Sequence, residues 1–155
     1  MFEGRRPPAR IIGIPAFFVF IAKSQSNDNP VYYIQYAHAR IASVMKQLSE
    51  KGFKYSQENQ ESSLIKLTQP HEQQIMKSLA LYPEVIRTAA ENHEPHQICF
   101  YLRELANIFH SYYNSHQFIV DDAVVRNARI SLILAVQQVI RNGLEILGVS
   151  APDKM

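Results

Sequence analysis

Residues 98–113 constrain the fold of this chain most tightly. Ile98, Leu102, Leu105, Ala106, Phe109, Tyr112 and Tyr113 follow one another at offsets 0, 4, 7, 8, 11, 14 and 15. That three-and-four spacing lines one side of an α-helix, and no strand keeps it on one face. A helix carrying such a stripe must lay it against other apolar surface. The same test finds helices on both sides. Asn29 is a cap and Pro30 suits a first helical position, after which Ile34, Ala37, Ile41, Val44 and Leu48 recur until Gly52. Thr68 to Pro70 with Glu72 opens another helix, whose predicted inner face is Ile75, Met76, Leu79 and Ala80. Tyr82-Pro83 predicts a stop and a new short helix with Val85, Ile86, Ala89 and Ala90 up to His93, because proline lacks the N–H a helix interior needs.

Glu94-Pro95 repeats that punctuation before the striped segment, and residues 114–120 connect it to a last helix. Asp121 and Asp122 supply the cap and first-turn negative charge, and Gly148 is the stop. From Val124 to Leu147 the apolar residues cover more than one face, which places this helix centrally, against several neighbours. Residues 53–63 are polar and read as a loop, and Leu64, Ile65 and Leu67 as a small docking patch. No segment sustains period-two alternation and no repeat of fixed length occurs. The predicted class is all-α, a bundle of about five helices.

Charge sharpens the organisation. The 16 basic and 14 acidic residues give +2 overall, but Arg5, Arg6, Arg10 and Lys23 against Glu3 put +3 in residues 1–23 and leave −1 in the rest. Bulk charge therefore gives the helical body no case for binding a polyanion. Residues 1–22 form a basic and apolar head, and residues 23–155 the helical domain. In the head, Ile11 to Ala22 is a mostly apolar run broken by Gly13 and Pro15, too short to cross a bilayer and interrupted where a secretory signal is continuous. It reads instead as a surface that packs on a neighbour. No membrane partner is expected. The single cysteine, Cys99, excludes an internal disulfide and fits a reducing, cytoplasmic setting.

A search for catalytic chemistry finds none. Five scattered glycines make neither a phosphate loop nor a dinucleotide fingerprint. His71-Glu72 opens like a zinc-protease helix, but Ile75 stands where the second histidine belongs. His93 and His96 lack a third ligand at a usable spacing, so no metal site is expected. Cys99 beside Ile98 reads as a small buried hydrophobe, and His38 as a hydrogen-bonded histidine of the core or its boundary. Aromatics are what remain: Tyr32, Tyr33 and Tyr36 open one helix and Tyr112 and Tyr113 close another. Tyrosines at helix ends either complete the rim of a core or stack on unpaired bases.

Several separate motifs, in order, carry a resemblance. The segment from Ala22-Lys23-Ser24-Gln25-Ser26-Asn27-Asp28-Asn29-Pro30 through Tyr32-Tyr33-Ile34-Gln35-Tyr36-Ala37-His38-Ala39-Arg40-Ile41 resembles the approach to the C-terminal domain of bacterial arginyl-tRNA synthetases. Tyr82-Pro83-Glu84-Val85, Glu94-Pro95-His96, Tyr101-Leu102-Arg103-Glu104-Leu105-Ala106 and Tyr112-Tyr113-Asn114 continue it. Ala128-Arg129-Ile130, Asn142-Gly143-Leu144 and Leu147 to Met155 complete it. Coverage is about residues 22–155.

The resemblance implies an α-helical bundle that binds the anticodon side of an arginine tRNA during arginyl-tRNA aminoacylation. By position it implies that Tyr36, Tyr113 and Met155 contact the anticodon loop. Gln35, Arg40 and Arg129 fall on motif positions as phosphate, base or structural partners. A set of Arg40, Arg126, Arg129, Arg141 and Lys154 would give local phosphate contacts despite the near-neutral body. The full-length enzymes use ATP and magnesium, whereas no cofactor is expected for this chain. The class I signatures His-Ile-Gly-His and Lys-Met-Ser-Lys-Ser are absent from the 155 residues, so the catalytic domain is missing and becomes an expected partner. Two departures stand out: Asp153-Lys154-Met155 replaces the usual Glu-Arg-Met, and the head does not match. The alternative is a helical interaction or oligomerisation module that has lost tRNA binding and self-associates through that head.

Overall fold

The computed structural model describes residues 29–56 and 63–155, and the head expected to pack on a neighbour lies outside them. Among the described residues four helices follow one another: α1 Pro30–Glu50, α2 Pro70–Glu91, α3 His96–Ser115 and α4 Ala123–Ile146. The caps form as their sequences predict. Asn29 accepts from the backbone N–H of Val31 at 3.0 Å, and Asp122 accepts from Val124 at 2.8 Å and Val125 at 3.1 Å. Each pairing satisfies donors that the first turn leaves without an intrahelical partner. Asp121 precedes the cap, so no acidic side chain occupies the first turn of α4.

The expected break at Pro83 does not occur. α2 runs through it as one helix, which reduces the expected five to four. A proline in a helix interior forfeits one hydrogen bond and crowds the carbonyl four residues back. Here the turn before it is held from outside: the Tyr101 hydroxyl donates to Ser78 O at 3.0 Å, and the Tyr82 and Tyr101 rings stack at 5.8 Å. Packing along α3 outweighs the local preference for a stop. Two details of the expected faces also change, since Ala80 and Ala90 are exposed and Leu67 alone of the 64–67 patch is buried.

All four helices contribute to one core. The stripe on α3 is its centre, with Leu102, Leu105, Ala106, Phe109 and Tyr112 wholly buried. α4 contacts α1, α2 and α3. Its length and composition would let it cross a membrane, but nine of its residues are buried within the bundle, the behaviour expected of a core helix. At Gly143 the close approach is direct: a Cβ there would sit 2.7 Å from Leu102 Cδ1. Positive φ at His93 (58°) and Gly148 (71°) turns the chain after α2 and after α4.

Candidate nucleic-acid interface

Tyr36 and Arg40 are one turn apart on α1, so their side chains share a face. Tyr113 comes from the last turn of α3, which lies against that face. The Arg40 guanidinium sits over both rings, its Cζ 4.9 Å from the Tyr36 centroid and 4.2 Å from that of Tyr113. Each such contact is worth about 0.5–2 kcal/mol, more when water is excluded. The tyrosines are half-buried, which leaves ring surface at the solvent edge of the cluster.

His110 completes this arrangement and was not among the residues singled out from the sequence. Its Nδ1 lies 3.1 Å from Arg40 Nη1, its Nε2 3.5 Å from Tyr33 O, and its ring packs on Tyr33 at 4.6 Å and Tyr36 at 5.6 Å. Arg40 has only donors to offer, so Nδ1 must be the acceptor and Nε2–H the donor. Burial lowers the pKa of His110 to about 4, the Tyr33 carbonyl opposing and the Arg40 charge reinforcing the shift. The ring is therefore neutral near pH 7 and able to orient a cation rather than repel it. Its helical offset of three from Tyr113 was legible, but its partner on α1 was not.

A second set of contacts ties down the C-terminal tail. Gln35 Nε2 donates to Ser150 O at 2.7 Å, and His38 Nδ1 donates to Pro152 O at 3.0 Å. His38 has no solvent exposure, in keeping with its reading as a core histidine. Asp153 lies 3.7 Å from both His38 Nδ1 and Arg141 Nη2. The tail is thus docked on α1 as far as Asp153, and the Met155 side chain beyond it is 45% exposed.

Arg129 goes elsewhere. Its Nε donates to Glu72 Oε1 at 3.0 Å and its Nη1 to Gln117 O at 2.8 Å, while the Tyr112 hydroxyl donates to the same Glu72 oxygen at 2.9 Å. Glu72 is 1% exposed, so this is an internal ion pair joining α2, α3 and α4. Burial, then the Glu72 hydrogen bond and charge, push the Tyr112 hydroxyl far above its ordinary pKa. Arg126 is also turned inward, with Nη1 on Val120 O at 2.6 Å and its Cζ 4.0 Å from the Phe53 ring. Of the arginine set, Arg40 and Arg141 remain at the surface. No group of three or more metal-ligating side chains occurs among the described residues.

Fold and site together define a small helical domain with an aromatic and cationic face suited to unpaired bases. The model of the DALR anticodon binding domain matches residues 34–155, and the chain belongs to that family. Arginine–tRNA ligase from Thioalkalivibrio sulfidiphilus is 61% identical over 139 residues, covering 90% of this chain and 24% of the ligase. The Coxiella burnetii ligase is 52% identical over the same coverage. The chain thus spans about a quarter of the length of these relatives. Among solved structures, a putative arginyl-tRNA synthetase from Campylobacter jejuni superposes with a TM-score of 0.69 at 28% identity, over 88% of this chain and 29% of that one. The Thermus thermophilus arginyl-tRNA synthetase gives 0.68 at 26%, over 86% and 22%.

Proposed function

We propose that this domain binds the anticodon side of an arginine tRNA, as the recognition part of an arginyl-tRNA ligation system in the cytoplasm. The observation that carries the reading is the Arg40 guanidinium held between Tyr36 and Tyr113. Bases of an anticodon loop are unstacked, and aromatic faces with an adjacent cation offer them stacking surface and a phosphate partner. In this reading Tyr36, Tyr113 and Arg40 touch the loop. Gln35 positions the tail from which Met155 reaches it. Arg129 supports the Tyr113 end of α3 through Glu72 and Tyr112.

The test is the Kd of the full chain for an arginine tRNA and for an unrelated tRNA, at fixed salt. Tyr36→Ala and Tyr113→Ala are each expected to weaken the arginine tRNA by roughly 5- to 150-fold, the equivalent of about 1–3 kcal/mol per stacked base. Removal of Met155 lowers discrimination between the two tRNAs. Wild-type affinity in all three variants would overturn the assignment. ATP and magnesium serve the complete ligases, and the purified chain is expected to give no aminoacylation. Turnover would refute that.

A further inference from the structure

Resting on that reading, we propose that the cleft between the C-terminal end of α1 and the α3–α4 connection is a second nucleotide subsite, which takes one unstacked base of a single-stranded RNA loop beside the Tyr113 ring. The cleft has a volume of about 270 Å³ and Tyr113 is one of its walls, so it shares that residue with the Arg40 cluster. Val44, Phe118 and Ile119 line it with apolar surface, and Gln47 and Gln117 add two side-chain amides. That combination suits a base, whose faces are apolar and whose edges carry paired donors and acceptors that an amide matches.

Two further features favour a nucleotide over other small ligands. Lys51, in the same lining, provides a cation for the attached phosphate. No carboxylate lines the cleft among the described residues, whereas the larger cleft of about 450 Å³ beside Tyr33 contains Glu104, which would repel a phosphate.

The experiment uses the full chain and RNA hairpins bearing the arginine anticodon loop, each with one loop nucleotide replaced by an abasic sugar that keeps its phosphate. Kd values are measured by fluorescence anisotropy for wild type and for Gln47→Ala/Gln117→Ala. The wild type is expected to lose about tenfold at one loop position served by the cleft. In the double variant that position costs no more than an unrecognised one, while penalties at the positions stacked on Tyr36 persist. Lys51→Gln lowers the salt slope of binding by roughly 0.7, the value for one single-strand phosphate contact. An identical pattern of penalties in wild type and double variant overturns the subsite alone. Failure of the wild type to bind any hairpin overturns the anticodon reading and the subsite with it. Far-UV circular dichroism confirms folding of the variants, whose changed side chains are exposed.

Discussion

Removing the Arg129 side chain should unfold this domain far more readily than a surface substitution would. The Glu72 carboxylate, 1% exposed, accepts from Arg129 Nε at 3.0 Å, Tyr112 Oη at 2.9 Å and Gln69 N at 2.9 Å. In Arg129→Ala the two neutral donors remain but the counter-charge is lost. A buried charge stripped of its partner costs about 3–5 kcal/mol. For a domain of this size that lowers Tm by roughly 6–20 °C, at about 2–4 °C per kcal/mol. Urea denaturation followed by circular dichroism measures the loss directly. The double variant Glu72→Gln/Arg129→Met should recover most of it, because no unpaired charge is then left inside. If Arg129→Ala unfolds within about 0.5 kcal/mol of wild type, the range of an ordinary surface change, while tRNA affinity falls, the ion pair is not structural. Arg129 would then be an RNA contact.

Acid should weaken the fold through His110. Its pKa is held down to about 4, against an ordinary histidine value near 6.5 in the unfolded chain. Between those values the unfolded state binds the extra proton, so stability falls as pH drops from about 6.5 through about 4, by up to ~3 kcal/mol. Urea midpoints across that range should show the slope in wild type and lose this part of it in His110→Asn. Gly143→Ala should destabilise in spite of alanine's better helix propensity. The new methyl would meet buried Leu102 at 2.7 Å, and overpacking at about 1–3 kcal/mol exceeds the gain of about 1 kcal/mol. Thermal melts check it, with Leu102→Ala as the background that removes the clash. The Cys99 thiol is raised by burial, with Arg103 opposing, so iodoacetamide should modify it more slowly in the folded chain than in urea at the same pH.

Local chemistry in the sequence determined three helices and the N-terminal caps of two of them. The stripe from Ile98 to Tyr113, Asn29 before Pro30, and Asp122 before α4 each act within one or two turns, so the reading needs no knowledge of distant residues. Pro83 shows where that reasoning ends. Its local preference is for a stop, and the contact of Tyr101 with Ser78 O across helices decides for continuity. The candidate site divides in the same way. Tyr36 and Arg40 lie four residues apart on one helix, and their shared face follows from helical geometry. That Tyr113 closes over the same guanidinium, with His110 as its acceptor, depends on how α3 crosses α1. The arginines make the contrast plainest. Arg40, Arg126 and Arg129 are alike in composition and all sit on helices. Only packing sends Arg129 to Glu72 and Arg126 to loop carbonyls while leaving Arg40 between two tyrosines at the surface, because a cation's role is set by the partner within reach of its guanidinium.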